Sequence, residues 1–383
     1  MSGERERDDG RRPSRRKTPS AGTSDTPTRG EFDFIERLRR QEQARPARGK
    51  NSPHFTQPSR LIQGIGDDAA VFRQRAGFDT VVTADMLVEG IDFRLEPGWT
   101  TPRDLGHRAL AVSLSDVAAM GARPLFCLLS LGVPGDLWRG RFPEEFYKGV
   151  RALARLQGVR IIGGDTSRTP EGVVVDSVVI GEVRGGRALT RGGARAGDQI
   201  FVTGSLGGAA AGLKILEGLG ARTSSPASPA KAGRTRAVRG LVRRQTSPTP
   251  RLEWGALLSE RGLATALIDL SDGLSSDLAH VCRESGVGAR VEASLLPFEP
   301  LLGAAGFCEE EALALAFHGG EDFELLFTAG ARQASRLPRE VRGVKVTRVG
   351  EVTGERGKVR LLRDGRARLL RPGGFEHFAR ARR

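Results

Sequence analysis

The stretch TPRDLGHRALAVSLSDVAAMGA (Thr101–Ala122) is the part of the sequence from which the fold can best be predicted. A proline in its first turn and a glycine near its end predict a single helix. The apolar face of this helix follows Leu105, Ala109 and Val112, and the next position in the series is Asp116. An unpaired carboxylate on a buried face is costly. Asp116 is therefore a candidate metal ligand, and the alternatives are a surface Asp or an Asp paired with a buried arginine.

Strand and helix signals alternate on both sides of this helix. Strands are predicted at DTVVTADMLV (79–88), PLFCLLSLGV (124–133), VRII (159–162), VVVDSVVIGEV (173–183), ATALI (264–268) and FELLF (323–327). Further helices are predicted at PEEFYKGVRALARLQG (143–158), GLSSDLAHVCRESG (273–286) and EEEALALA (309–316). The order of these segments predicts a mixed α and β protein.

Composition changes along the chain predict its domains. Residues 1–29 are predicted to be a disordered basic tail, with an amphipathic helix starting in GEFDFIERLRR (30–40). An N-terminal domain is predicted at 30–189 and a C-terminal domain at 190–383, divided near RALTRGGARAGD (187–198). The second domain carries a low-complexity insert at about 221–245, where SSPASPAKAGRTR (224–236) predicts a loop.

The net charge of +14 is unevenly distributed. Residues 1–50, 221–251 and 354–383 carry net charges of +5, +8 and +7, so the rest of the chain is net −6. These basic segments lack interleaved aromatic residues, which favours solvated surface over nucleic-acid binding. Three cysteines without paired spacing indicate neither a disulfide framework nor a cysteine zinc site. With no apolar run that could span a membrane and no secretory signal, we expect a cytoplasmic protein.

Six short stretches place a carboxylate beside glycine or another small residue at the end of an element. They are GIGDDAAVF (64–72), TAD (83–85), LSD (114–116), GGDT (163–166), IDLSDG (268–273) and GGED (319–322). Glycine amides can approach a phosphate closely, and carboxylates without clustered His or Cys suit Mg²⁺. The set predicts a metal–nucleotide site, although each stretch alone is equally typical of an ordinary turn.

Individual members of the set have alternative interpretations. Asp67 and Asp68 are adjacent, so in an extended segment only one of them is expected to reach a given ion. Asp269 and Asp272 can face one site, whereas Ser271 between them also suits a helix N-cap. Tyr147, the one tyrosine of the chain, is either part of a core or a ring that stacks on a nucleotide base. The sequence contains no P-loop, no G-x-S-x-G elbow and no paired histidine metal motif.

Taken in order, these stretches resemble the thiamine-monophosphate kinase family of the aminoimidazole-ribonucleotide synthetase-like superfamily. The resemblance covers residues 30 to 378, and further matching segments are TADMLVEGIDF, RALTRGGARAGD, TSPTPR, LLPF and the closing GGFEHF. It implies an α+β fold of two domains, with the N-terminal sheets paired in a homodimer. It also implies transfer of the ATP γ-phosphoryl group to thiamine monophosphate, assisted by several Mg²⁺ ions, with no general base.

The resemblance assigns site residues by position. The metal-binding set comprises Asp68, Thr83, Ala84, Asp85, Asp116, Asp165, Asp269 and Asp272. The ATP contacts comprise Tyr147, Gly164, Asp165, Arg191 and Ser271. The substrate contacts comprise Glu321, Phe375 and Asp92.

Two positions depart from the family pattern. Asp92 stands where the family commonly has His, so its role toward the substrate is open, and Ser113 stands where the family has Asn, an exchange we expect to be minor. One alternative function is another ATP-dependent enzyme of the same superfamily, such as an aminoimidazole-ribonucleotide synthetase-like ligase. A second alternative is a non-catalytic nucleotide- or RNA-binding protein that acts through the basic segments.

Overall fold

The computed structural model describes residues 37–38, 40–41, 61–63, 71–72, 74–219 and 229–374. The predicted basic tail at 1–29, the GDD acid Asp68 and the substrate contact Phe375 lie outside this part of the chain. Within the predicted first helix, Leu38 is helical and buried, and Arg37 forms an ion pair of 3.2 Å with Glu144.

The first part of the chain forms a four-stranded sheet with helices on one face. Two short strands, β1 (Leu61–Gln63) and β2 (Val71–Phe72), pair with each other before it. The sheet has the order β3-β6-β4-β5, with β3 (Phe78–Val88), β4 (Arg123–Val133), β5 (Arg160–Arg168) and β6 (Val174–Arg184). The helices are α1 (Pro102–Ala119), α2 (Gly135–Arg139) and α3 (Phe142–Leu156). Only β4 and β5 pair in parallel, so this is not a doubly wound sheet.

A second, larger sheet follows. Its order is β14-β13-β9-β12-β7-β10-β8, and β11 pairs with β12 at one side. The strands are β7 (Gln199–Thr203), β8 (Ala266–Asp269), β9 (Gly288–Glu292), β10 (Leu325–Ala329), β11 (Glu340–Val341), β12 (Val344–Thr353), β13 (Val359–Arg363) and β14 (Arg366–Leu369). The helices are α4 (Gly208–Leu219), α5 (Pro229–Thr246), α6 (Leu252–Arg261), α7 (Leu274–Ser285), α8 (Leu301–Ala305), α9 (Glu309–His318) and α10 (Ala331–Ala334).

Helix α1 is the central element because it contacts both sheets. Its N-cap Thr101 accepts a hydrogen bond from the Asp104 amide, and Leu105, Leu110 and Leu114 are completely buried. It packs closely on α3, where a side chain at Gly149 would meet the α1 backbone carbonyl of Arg103. This close packing fixes the position of every polar side chain that α1 carries.

The strands and helices predicted within the described part of the chain are confirmed, although the strand predicted at 323–327 begins only at Leu325. The predicted loop at 224–236 is wrong in its second half, because α5 begins at Pro229. Ala237 and Leu241, four residues apart, are buried against α4 and α8 in a small apolar cluster. The many arginines of this helix obscured that spacing in the sequence. No helix in the described part of the chain is long and apolar enough to cross a bilayer.

Candidate active site between the two sheets

The C-terminal half of α1 lies against β3 and holds two of its polar side chains. Thr83 Oγ1 donates a hydrogen bond of 2.5 Å to Asp116 Oδ2. Ser113 Oγ donates one of 2.7 Å to Asp85 Oδ2 and lies 2.6 Å from Ser177 Oγ. The prediction that Asp116 faces inward is therefore confirmed. The Ser113 hydroxyl orients the Asp85 carboxylate, and the expectation that Ser in place of Asn is a minor exchange stays a prediction.

The same helix reaches the second sheet. Ser115 Oγ donates a hydrogen bond of 2.8 Å to Asp269 Oδ2 at the end of β8. Asp116 and Asp269 both line a cleft of about 820 Å³, together with Arg191 from the segment that joins the two sheets. We call Asp85, Asp116 and Asp269 the acid cluster. Its members come from three elements far apart in the sequence.

Burial and mutual repulsion make the acid cluster electrostatically unfavourable without a cation. Burial and, to a smaller extent, the charge of Asp116 raise the pKa of Asp85 to about 6, while the Ser113 hydrogen bond opposes this. Burial also raises the pKa of Asp116, while the Thr83 hydrogen bond and the Arg191 charge oppose this. Perturbed carboxylates in a cleft are typical of functional sites.

Asp269 is the most strongly affected member of the cluster. Burial raises the pKa of Asp269 to about 7, with a further contribution from the charge of Asp116. The Ser115 hydrogen bond and the more distant Arg191 charge act in the opposite direction. A cation bound among these carboxylates would remove the repulsion.

The donor set suits Mg²⁺, which is commonly held by one or two carboxylates and completed by water and phosphate oxygens. Among the described residues, no three or more His, Cys, Asp or Glu side chains form a ready-made metal cage.

The turn after β8 brings more acids near the cluster. The Asp277 carboxylate accepts hydrogen bonds from the backbone amides of Asp272 and Gly273, at 3.2 and 2.9 Å. Burial raises the pKa of Asp277 to about 8, with contributions from the charges of Asp269 and Asp272. Asp269 and Asp272 thus lie close enough to influence one group. The N-cap of α7 is Gly273, so the N-cap interpretation of Ser271 is wrong.

The structure does not bring Asp165 to the acid cluster. Gly164 lies in one row with Leu129, Ser177 and Asp85 across the first sheet, whereas Asp165 is the next residue along β5. Successive side chains of a strand point to opposite faces. Asp165 is therefore exposed on the other face, and its Oδ1 accepts a hydrogen bond from the Thr166 amide.

Gly164 is a position that requires glycine. It has a φ of +149°, and a side chain there would meet the backbone carbonyl of Leu129 on β4. Ala84, beside Thr83, has its side chain on the exposed face of β3, so only its backbone oxygen is available to a metal in the cleft.

Two further predicted contacts have local roles in the structure. Tyr147 is buried in the core of the first part and packs edge-on against Phe146 at 5.4 Å, in agreement with the core interpretation rather than with base stacking. Asp92 accepts a hydrogen bond of 2.8 Å from the Val88 amide and so fixes the turn after β3.

The loop GGEDFE (319–324) lies between α9 and β10. Glu321 forms an ion pair with Arg108 of α1 and accepts a hydrogen bond from Gln245 of α5. The start of GGFEHF approaches the residue before this loop. The Gly373 amide donates a hydrogen bond to Ser275 Oγ, and Ser275 Oγ is hydrogen-bonded to His318 Nδ1. The structure therefore brings Gly373, two residues before Phe375, close to His318, which directly precedes the loop.

Several residues of this site were not expected from the sequence: Arg108, Ser115, Ser177, Gln245 and Asp277. Ser115 and Asp277 lie inside the quoted motifs, where their spacing to an acid was the available signal. Arg108, Ser177 and Gln245 gave no local signal, because their partners are more than 60 residues away.

The chain matches known proteins over most of its length. Residues 66–183 match the AIR synthase related protein N-terminal domain, and residues 195–362 match the C-terminal domain of the same family. Thiamine-monophosphate kinase of Escherichia coli K12 is 37% identical over 320 residues, which cover 82% of this chain and 92% of that protein.

Solved structures agree with these sequence matches. Thiamine-monophosphate kinase from Stenotrophomonas maltophilia K279a superposes with a TM-score of 0.72 at 36% identity, covering 88% of this chain and 96% of that one. AaThiL in complex with AMPPCP and TMP gives a TM-score of 0.67 at 27% identity, covering 91% and 97%. The expected two-domain α+β architecture is thereby confirmed. The chain belongs to the thiamine-monophosphate kinase family, and it is an enzyme of the kinase class.

Proposed function

We propose that the protein transfers the γ-phosphoryl group of ATP to thiamine monophosphate, giving thiamine diphosphate and ADP. The names of its relatives and the AaThiL complex with AMPPCP and TMP support this reaction. The observation that carries the proposal is the convergence of Asp116 and Asp269 on a cleft that also contains Arg191. Asp85 lies behind them, close enough for its charge to act on both. Such a cleft suits a reaction between two polyanions.

The chemistry requires little from the protein beyond position and charge. An oxygen of the acceptor phosphate is already ionised at neutral pH, so it attacks the γ-phosphorus without a general base while the bond to the ADP oxygen breaks. The acid cluster would hold Mg²⁺, which supplies charge screening for the two phosphates when bound. The protein side chains then keep donor and acceptor in line.

The other metal and nucleotide contacts are part of the same proposal. We assign Arg191, which lines the cleft, to an ATP phosphate, and Gly164, whose backbone runs close to Leu129 of β4, to the nucleotide. Ser271 lies in the turn after β8, one residue from Asp272. The remaining metal contacts proposed by family position are Asp68, Thr83, Ala84, Asp165 and Asp272. Asp165 lies on the face of β5 away from the acid cluster, so its role as a metal contact requires a second part of the site on that face.

We assign Glu321, Asp92 and Phe375 to the thiamine phosphate by family position. Glu321 has the best support, because its side chain is about one-third exposed while its partners are buried. A carboxylate that is one-third exposed can still accept a hydrogen bond from the substrate. Asp92 is engaged in its turn, so it is a weaker candidate.

We also propose a homodimer formed through the first sheet, with a domain division near residue 190 and a cytoplasmic location. Strand β3 is at the edge of this sheet, and its outward side chains Val82 and Met86 are each 61% exposed. An apolar edge strand of this kind is unfavourable in water and suits a second copy. Met86→Lys should weaken the dimer in light scattering, whereas a monomeric parent protein would contradict this part of the proposal.

A product assay tests the function. The protein would be incubated with ATP, Mg²⁺ and thiamine monophosphate, with free thiamine as the control acceptor, and thiamine diphosphate measured by chromatography. We expect product from the monophosphate alone. ATP binding without any thiamine diphosphate would refute the kinase assignment and favour a different acceptor in the same superfamily.

A further inference from the structure

Arg108 is a buried cation whose charge is met by the GGEDFE loop. Its side chain is 2% exposed, although it lies on α1 among apolar residues. Within the described residues, Glu321 is its one ion-pair partner, and its Nε has no hydrogen-bond acceptor. A buried guanidinium with a single anionic partner strongly favours the loop conformation that supplies the partner.

Gln245 of α5 holds the second oxygen of the same carboxylate. Its amide donates to Glu321 Oε2, while Arg108 donates to Oε1, so both oxygens are fixed from two helices. Gln245 is itself buried, at 3% exposure. Neither helix belongs to the loop, and the contacts to Arg108 and Gln245 span 213 and 76 residues of sequence.

The loop backbone is held in a conformation that ordinary residues rarely adopt. Glu321 has a φ of +68° and Phe323 a φ of +48°. The Glu321 amide donates to Ser271 O at 2.8 Å, and the Phe323 amide donates to Leu270 O at 3.0 Å. Left-handed non-glycine residues persist where the surroundings over-determine them, and they cluster at ligand-binding sites.

Helix α1 links this loop to the acid cluster. Arg108 and Asp116 are eight residues apart on one helix, which corresponds to about 12 Å along its axis. The helix is packed on both sides, so this separation is fixed.

We propose that Arg108, assisted by Gln245, is a positioning residue that sets Glu321 at a fixed distance from the acid cluster. It thereby orients the thiamine phosphate acceptor toward the bound nucleotide. This inference rests on the proposed function and adds to it a role for two residues that do not touch the substrate.

Steady-state kinetics separate positioning from simple structural support. In Arg108→Gln we expect the KM for thiamine monophosphate to rise about tenfold, with the KM for ATP within twofold of the parent value. Arg108→Lys keeps the positive charge but not the planar set of guanidinium donors, so it should restore part of the lost affinity for thiamine monophosphate. Arg103→Gln, an exposed arginine five residues earlier on α1, is the matched control and should behave as the parent.

Combining substitutions tests whether the effect acts through Glu321. Because Arg108 acts on the substrate only through that carboxylate, adding Arg108→Gln to Glu321→Gln should raise the KM no further. Additive effects of the two substitutions, or equal increases in the KM values for ATP and thiamine monophosphate, would overturn the proposal. Gln245→Glu provides a second variant, since a carboxylate placed against Glu321 should displace the loop without removing the buried cation.

Hydrogen exchange gives a readout that does not depend on activity. Arg108→Gln and Gln245→Glu should each accelerate amide exchange in Phe317–Phe323, while exchange in α1 stays unchanged. Unchanged exchange in the loop would overturn the proposal. If the parent enzyme makes no thiamine diphosphate, the proposed function fails while this measurement still reports on Arg108.

Discussion

Two sets of three carboxylates in this protein have opposite surroundings. The acid cluster faces hydroxyl groups and other acids, whereas the acids of the GGEDFE loop each face a fixed donor. Glu321 meets Arg108, Asp322 meets the amides of Gly207 and Ala209 at the start of α4, and Glu324 meets Arg251.

Burial alone does not separate the two sets. Glu324 is fully buried, and burial raises the pKa of Asp322 to about 7, as it does for Asp269. The two sets differ in the groups that their carboxylates face. Each loop carboxylate has its charge met inside the fold by a cation or by a pair of amides, whereas carboxylates that repel one another at a cleft are suited to an external cation.

The acid cluster should give the largest effect on turnover. Asp116→Asn keeps the hydrogen bond from Thr83 but removes the charge, so we expect kcat to fall on the order of 10³-fold. Stability in urea should stay the same or rise, because repulsion with Asp85 and Asp269 is relieved. Asp364→Asn, at a fully exposed position, is the control. A variant that loses stability and activity together would contradict the comparison.

The Glu324 pair should show the reverse behaviour, with stability as the main loss. Arg251→Met leaves the buried Glu324 with the Thr203 hydroxyl and, at 3.7 Å, Arg244, so we expect the free energy of unfolding to fall by about 3 kcal/mol. Arg290→Met, which breaks an exposed pair with Glu351, should cost less than about 1 kcal/mol. Urea unfolding of both variants measures these losses of stability. Equal losses would contradict the distinction between the buried pair and the exposed pair.

Asp322 allows a test by pH. Its pKa in the folded protein lies above the usual value, so between about pH 4 and pH 7 the folded protein holds a proton that the unfolded chain has released. The free energy of unfolding should therefore decrease as the pH rises through this window. A rise of the pKa from its usual 3.8 to about 7 corresponds to about 4 kcal/mol, and Asp322→Asn should remove this part of the decrease. Parallel pH profiles for the variant and the parent would show that Asp322 is ionised throughout.

The hydroxyl groups behind the acid cluster should give the smallest effect. Ser113→Ala removes a hydrogen bond that lowers the pKa of Asp85, so its carboxylate becomes less available to a cation. We expect the apparent affinity for Mg²⁺ in the assay to fall about tenfold. Ser335→Ala, on an exposed turn, is the control, and an unchanged Mg²⁺ dependence in Ser113→Ala would place Asp85 outside the metal site.

The sequence by itself determined the order of elements, the inward direction of Asp116 and the family. These results rest on local patterns, namely helix and strand periodicity, capping residues and glycine next to a carboxylate. Such patterns can be recognised in the sequence without a structure. The exception was α5, where arginine-rich composition concealed the buried spacing of Ala237 and Leu241.

Only the tertiary structure decided which acids share a site. Asp85, Asp116 and Asp269 meet because α1 packs between β3 and β8, while Asp165 lies on the opposite face because strand side chains alternate. The pairing of Arg108 with Glu321 spans 213 residues and depends on the same packing. Such contacts follow from how elements fit together, which no pattern within one element encodes.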